Sequence, residues 1–414
     1  MSCARKMGGL MLAVFALVGC AWLWIGGPYA PGPAEAGIGV VLAREIEHSA
    51  VSTASGQPVS TTQLSGIEAG PAFSAVQLTV AQSRFLGSQA MVSVRVVDAA
   101  RPLAYRESRF YEESTAGWQR IPPIPAFWGR GQTASSQFFD FHYRRLDSLA
   151  VQEAASVLDT RYVALRRAFG LSLPTAGENI RVEVGLDSVY GDRTQQRMRL
   201  RSPLLLPVPE PLTDGDMLVQ SAQFVLVDWT ISEALRSQTA AGAMQLSMPM
   251  LNGLRLWGHW QVGGPLAKNR VALMRAAFSP GTEAANEIAS ICQVLKGWQM
   301  EVQSASVGVV CPLSNDIVPG SVAEPTRLDK MPDVCTLSPD AAEAAAIDPG
   351  LSPIVLATLL DYAAETFGPG RLPLLLGSAS VTCSWEALIP AVFDIPVREF
   401  ALGWRVWLEE EYGL

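Results

Sequence analysis

The sequence is poor in charged residues, and its basic residues are not clustered. Charged residues make up 17% of the 414 positions and apolar residues 49%, a balance typical of chains that bury hydrophobic cores. The net charge is −8, with no stripe of Lys and Arg that could displace counterions from a nucleic acid. The length, about two to three ordinary domains, predicts two folded units. The net negative charge without a basic stripe predicts that no nucleic acid is bound.

Histidine is also scarce, and the common catalytic motifs are missing. The three histidines, His48, His142 and His259, lie far apart in the sequence. No H-E-x-x-H pair, G-x-S-x-G elbow or phosphate-binding Gly loop ending in Lys-Ser or Lys-Thr occurs. The sequence therefore predicts no cofactor.

Only one long hydrophobic run is present, at the N-terminus. Residues 7–27 contain no charge and are long enough, as a helix, to cross a bilayer. Arg5 and Lys6 precede the run and Pro28 follows it, so the positive-inside rule predicts a cytoplasmic N-terminus and an extracytoplasmic body. The expected localisation is a membrane, reached through this helix.

Two other interpretations of the run remain open. It can be a cleaved secretory signal, although an Ala-x-Ala site is not evident. Leu17-Val18-Gly19-Cys20 also resembles a bacterial lipobox, in which Cys20 is the lipidated residue. Each interpretation leaves the body of the chain outside the cytoplasm.

The cysteines fit an oxidising compartment. Two of the six, Cys3 and Cys20, belong to the N-terminal segment, and the other four allow three disulfide pairings. We favour Cys311 with Cys335, which closes an irregular, Pro-rich loop. A zinc site is disfavoured, because none of these cysteines forms a C-x-x-C pair.

The first module is predicted to be rich in β-structure. Residues 28–37 form a Pro-rich linker after the anchor at 1–27, and the module spans 38–132. Alternating apolar residues predict strands at 76–80, 90–97 and 105–112, with a further strand opening at Trp118. Short connections make a curved antiparallel sheet the simplest arrangement.

The segment 105–123 (YRESRFYEESTAGWQRIPP), followed by Phe127-Trp128-Gly129, resembles the last hairpin of the NTF2-like, or SnoaL-like, fold. The resemblance implies a helix, assigned to Ala43–Ala54, packed on a bent sheet that encloses a pocket. Such a pocket can bind a small ligand. We interpret Tyr111, Trp118 and Trp128 as packing residues.

The remaining chain, 135–414, begins with a strand at 138–143, a helix at 146–169 and a strand at 179–186. Residues 206–264 and 351–414 are predicted to be mainly helical, and 265–350 form an irregular insertion. The strand, long helix and strand resemble the start of the peptidase MA-like, or gluzincin, domain. The closing segments 374–377, 384–388, 393–400 and 404–408 strengthen this resemblance.

Gluzincins hold zinc with two histidines of an H-E-x-x-H helix and a third ligand from a later helix. By resemblance, residues 224–235 supply the first helix, with Asp228, Trp229 and Ser232 at the motif positions, and residues 250–257 supply the second, with Asn252 at the Glu position. Ser and Asn are poor zinc ligands and Trp cannot act as a base. The metal site is therefore expected to be degenerate.

The predicted fold class is α+β: a transmembrane helix, an NTF2-like module, and a mainly helical gluzincin-like domain with a small sheet. The leading hypothesis is a membrane-anchored pseudopeptidase that binds a protein or peptide or supports assembly. A second is a metallopeptidase or other hydrolase built on His259 with Asp228 and Glu233. A third is small-ligand binding by the first module. A structural role for His259, packed between Trp257 and Trp260, competes with the second.

Overall fold

The fold is described from a computed structural model of the chain. The structure describes residues 76–98, 103–175, 177–187, 190–238, 248–263, 353–379 and 384–413, with the single positions Val41, Leu246, Ala267, Arg270, Val271, Met274 and Thr382. The expected helix at 43–54, the favoured disulfide Cys311–Cys335, the lipidation residue Cys20 and the insertion 265–350, apart from those single positions, lie outside these residues.

Four consecutive antiparallel strands form the body of the first sheet. They are β1 (Val76–Leu86), β2 (Gln89–Asp98), β3 (Leu103–Ser114) and β4 (Gly117–Ile121). Tight turns at Gly87 and Gly117 connect β1 to β2 and β3 to β4. Both glycines adopt positive φ, at 61° and 98°. The strands predicted at 76–80, 90–97 and 105–112 are confirmed.

Both faces of the first sheet are covered. One face buries Val92, Val94, Tyr111 and Trp118, with Val41 packed against them. The other face buries Met91, Phe110 and Trp128 in a separate cluster. Tyr111, Trp118 and Trp128 are thus packing residues, as predicted.

A mixed second sheet follows, with strand order β5-β6-β7-β9-β8. Its strands are β5 (Gly131–Ser135), β6 (Phe139–Arg144), β7 (Ile180–Gly185), β8 (Tyr190–Asp192) and β9 (Arg197–Arg201). β7 runs parallel to β6 and β9, whereas the outer strands β5 and β8 are antiparallel to their neighbours. The predicted strands at 138–143 and 179–186 are confirmed as β6 and β7.

Alternation along these strands separates an inner from an outer face. In β9 the sequence RMRLR buries Met198 and Leu200, so Arg197, Arg199 and Arg201 lie on the opposite face. The inner face packs on helices, and the outer face carries polar and charged side chains.

Seven α-helices lie in the described part of the chain. They are α1 (Ser148–Ala168), α2 (Asp214–Gln238), α3 (Met248–Gln261), α4 (Pro353–Phe367), α5 (Arg371–Ala379), α6 (Trp385–Phe393) and α7 (Val397–Tyr412). Together with the inner face of the second sheet they build one continuous core that includes Phe141, Leu158, Trp257, Leu360 and Trp404. The α+β class is confirmed, and so is the mainly helical character of the described residues within 206–264 and 351–414.

A short strand, β10 (Val208–Pro209), follows the second sheet along the chain and pairs with β3 of the first sheet. Immediately beyond it, Glu210 forms a bidentate ion pair with Arg95 of β2 at 2.7 and 2.8 Å. Thr213 caps α2: its Oγ1 accepts from the Asp216 amide at 3.0 Å, while Oδ2 of Asp216 accepts from the Thr213 amide at 2.9 Å.

The structure does not support the transmembrane helix that the sequence predicted. Among the helices of the described ranges, none is long and apolar enough to cross a membrane. The two longest, α1 and α2, carry several charged side chains each, and the apolar α4 has only 15 residues. Residues 7–27 themselves lie outside the described residues.

Candidate functional site

Two of the motif positions meet where α2 contacts α3. Asp228 of α2 lies within reach of Arg255 of α3, whose Nε donates to Oδ1 of Asp228 at 2.7 Å. Nη1 of the same guanidinium donates to Oδ1 of Asn252 at 3.1 Å. Arg255 thus connects the residues at the first and the last of the four motif positions.

This group is largely shielded from water. The side chains of Asp228 and Arg255 are 17% and 20% exposed. Burial raises the pKa of Asp228 above its ordinary value, while the charge and hydrogen bond of Arg255 oppose that rise. The positive charge of Arg255 therefore offsets the cost of burying the Asp228 carboxylate.

The residues at these positions do not fit a zinc ion. A hydrolytic zinc site needs three protein ligands and an open position for water. Here the carboxylate of Asp228 and the amide oxygen of Asn252 both accept from a guanidinium, which is itself a cation. The described residues also contain no group of three His, Cys, Asp or Glu side chains placed to hold a metal.

The other two motif positions serve packing and helix structure. The indole of Trp229 lies against Gly191 of β8, where an added Cβ would come within 3.1 Å of the ring. Ser232 is exposed, and its Oγ donates to the carbonyl of Asp228 at 2.8 Å within the same helix. Neither side chain joins Asp228 and Asn252 at Arg255.

His259 is buried in a separate polar group. Nε2 of Gln223 lies 3.2 Å from Nδ1 of the ring, and Nη1 of Arg161 donates to Oε1 of Gln223 at 2.6 Å. Burial, together with the nearby charges of Arg161 and Arg255, lowers the pKa of His259 to about 3. At neutral pH the ring is therefore uncharged.

The aromatic neighbour of His259 differs from the one that the sequence suggested. Its ring packs edge-on against Phe224 with centroids 4.6 Å apart. Trp257 instead packs against Phe169 and donates from Nε1 to Asp361 at 3.2 Å. The sequence pattern W-G-H-W could not show this, because successive helix residues point in different directions.

The alternative constellation of His259, Asp228 and Glu233 is not assembled. Glu233 accepts from Arg166 at 2.7 Å and from Arg193 at 3.1 Å. In the part of the chain that the structure describes, no hydrogen bond or ion pair joins any two of these three side chains. His142, the remaining histidine of the described residues, lies on β6, away from α2 and α3.

A second buried carboxyl lies between the two sheets. Asp147 is 1% exposed and accepts a hydrogen bond from Oγ of Ser202, which in turn accepts from Nε1 of Trp128 at 3.0 Å. Its Oδ2 has no hydrogen-bond partner among the described residues. Burial raises the pKa of Asp147 to about 6, although the bond from Ser202 opposes the rise.

The open edge of β5 presents backbone groups. The amide of Arg145 donates to the carbonyl of Arg130 and the amide of Ser136 to the carbonyl of Phe139, which fixes the alternation of the ladder to β6. In that alternation the N–H and C=O groups of Gly131, Thr133 and Ser135 point away from β6. No other described strand pairs with this edge.

Sequence reasoning missed Arg255, Gln223 and Arg161. A signal for Arg255 existed, since it follows Asn252 by three residues and so shares its helix face. No local signal marked Gln223 or Arg161, which come together only because α1 packs on α2.

No protein-family model matches the chain, and no curated protein matches it.

Proposed function

We propose that the protein is a non-catalytic binding scaffold: a gluzincin-like domain that has lost its zinc site and holds an extended peptide segment of a partner. The proposal unites the resemblance in the sequence with the geometry of α2, α3 and β5. It concerns the residues that the structure describes.

The observation that carries the proposal is the bridge from Asp228 through Arg255 to Asn252. A metal ion in this family would cross-link the two helices by binding side chains from both. The Arg255 guanidinium supplies a fixed positive charge in that role, at 2.7 Å from Asp228 and 3.1 Å from Asn252. A guanidinium gives no open coordination position and cannot activate water.

The edge of β5 supports the binding half of the proposal. An extended peptide can add a strand to such an edge through main-chain hydrogen bonds, which provide affinity with little demand on sequence. The outward groups of Gly131, Thr133 and Ser135 offer alternate donors and acceptors along five residues of strand. Edges left open in this way are otherwise a hazard that proteins avoid.

The first experiment tests catalysis and binding together. The full chain, produced with zinc supplied, is analysed for metal by elemental mass spectrometry and then incubated with a peptide mixture from a digested unfolded protein. We expect far less than one zinc per chain and peptides that co-elute uncut from a sizing column. About one zinc per chain with chelator-sensitive cleavage would overturn the proposal.

Two variants at one position locate the binding edge. Ser135→Pro removes an outward N–H, whereas Ser135→Ala removes only the hydroxyl that bonds Asp140. We expect Ser135→Ala to retain the peptides and Ser135→Pro to lose them, with both variants folded by circular dichroism. Equal retention by the two variants would exclude the β5 edge as the binding surface.

A further inference from the structure

A hollow of about 520 Å³ lies on the outer face of the second sheet, the face turned away from the helices. Its walls come from four strands, β5, β6, β7 and β9, and from the residues that follow β7. The residues that matter for its chemistry are Thr133, His142, Arg144, Glu183, Asp187 and Arg199.

The hollow exists because Gly185 leaves a gap in the row of side chains. His142 and Glu183 are register partners on β6 and β7, and Arg144 and Gly185 each follow them by two residues. Gly185 is paired with Arg201 of β9 on its other side. A Cβ added at Gly185 would meet nothing within 4 Å. The floor of the hollow is therefore the exposed backbone at Gly185, and the strands on either side of it carry arginines.

Beside this floor, arginine side chains outnumber the carboxylates that neutralise them. Glu183 is shared by three arginines, Arg181 at 2.9 Å, Arg199 at 3.1 Å and Arg197. Arg199 uses only Nε for this contact, so both of its terminal nitrogens are without a partner among the described residues. Arg144 makes one long bond, from Nη1 to the carbonyl of Gly129 at 3.3 Å.

The carboxylates of this region do not occupy these donors. Asp140 accepts from Asn179 at 3.2 Å and is also bonded by Ser135. Asp192 accepts from Thr194 at 2.7 Å, at the far side of β9. Asp187 lies exposed on the rim of the hollow. No hydrogen bond or ion pair among the described residues joins a carboxylate to the terminal nitrogens of Arg144 or Arg199, and both residues line the hollow.

We propose that this hollow is a binding site for a small organic carboxylate, held by the guanidinium groups of Arg144 and Arg199 over the Gly185 floor. Arginine binds carboxylates through paired N–H donors, and the volume lies in the range of small-molecule sites. A carboxylate with one charge suits the site better than phosphate, because Glu183 and Asp187 border it and repel a dianion. The hollow shares Gly131 and Thr133 with the β5 edge, but its two arginines come from β6 and β9.

Calorimetric titration of the full chain with lactate, a carboxylate with one charge, tests the proposal, with inorganic phosphate titrated in parallel at the same ionic strength. Arg199→Gln and Arg181→Gln form a matched pair, because each removes one arginine from Glu183 but only Arg199 borders the hollow. We expect saturable lactate binding that Arg199→Gln and Arg144→Gln each weaken about tenfold or more. Arg181→Gln should change it by less than about twofold.

Gly185→Val provides a steric test that leaves every charge in place. Its side chain enters open space at a strand position that suits a β-branched residue, so the fold should persist while the hollow is filled. We expect this variant to lose lactate binding and to keep the peptide retention of the parent chain. Equal losses in Arg181→Gln and Arg199→Gln, phosphate binding as tight as lactate binding, full binding by Gly185→Val, or no binding by the parent chain would each overturn the proposal.

Discussion

Arg255 donates from Nε to Oδ1 of Asp228 at 2.7 Å, so that a cation of α3 neutralises a carboxylate of α2 inside the helical core. The pair sits at the contact between α2 and α3. Its strength can be measured directly, because either charge can be removed without changing the length of the side chain greatly.

Arg255→Met should destabilise the fold. The substitution leaves the Asp228 carboxylate shielded and without its cation, at a cost of about 1–3 kcal/mol for a partly buried pair. Urea unfolding monitored by circular dichroism measures the change. The double variant Asp228→Asn with Arg255→Met should recover a large part of the loss, because no uncompensated charge remains. A single variant as stable as the parent would show that the bridge contributes little.

Gly191→Ala should also destabilise the fold. Its Cβ would lie 2.6 Å from Cγ1 of Val225 and 3.1 Å from the Trp229 ring, so β8 and α2 must separate. We expect a loss of about 1–3 kcal/mol in the free energy of unfolding. Gly185→Ala is the matched control, since it adds the same methyl group on a nearby strand where the space is open. If both variants unfold at the same urea concentration, the contact of Trp229 with Gly191 is not tight.

Asp147 should make stability fall as pH rises. Its pKa in the fold, about 6, lies above the ordinary 3.8, so between these values the folded state holds the proton more tightly than the unfolded chain. Stability from this residue is fully present below pH 3.8 and declines until about pH 6, by up to about 3 kcal/mol. The check is the difference between parent and Asp147→Asn, measured from pH 4 to 7. That difference should grow with pH in favour of the variant, and a flat difference would contradict the prediction.

His259 should act in the opposite direction. Its pKa in the fold, about 3, lies below the ordinary 6.5, so acid favours the unfolded chain, which takes up the proton first. Stability from the neutral ring is fully present above pH 6.5 and is lost as pH falls towards 3, by up to about 5 kcal/mol. His259→Phe keeps a ring against Phe224 but cannot be protonated. Between pH 7 and 4 this variant should lose less stability than the parent, and equal losses would argue against a buried neutral histidine.

The sequence predicted the elements whose pattern is local. Because Phe139, Phe141 and Tyr143 alternate with polar residues, the sequence predicted the strand that is β6. Apolar residues at helical spacing in 146–169 predicted α1 to within two residues at each end. β9 was missed, because RMRLR has arginine at three of five positions and only Met198 and Leu200 reveal the buried face.

The candidate site was predictable only in part. The sequence hypothesis singled out Asp228 and Asn252 as motif positions, which stays a prediction; in the structure both side chains bond to Arg255. The partners of His259 and Glu233 were not predictable, because they lie on α1, α2 and near β8 and depend on how these elements pack. Charge pairing across such distances leaves no mark in the local sequence.

The pairing of β10 with β3 also has a consequence for the growing chain. Val208 and Pro209 complete the sheet beside Arg106 and Tyr105, which are made roughly a hundred residues earlier. At usual rates of translation that interval lasts about 5–20 s. During it the start of β3 has no strand on this side, and an uncovered strand edge can pair with a neighbouring nascent chain. A release of the chain before residue 208 would make that exposure permanent.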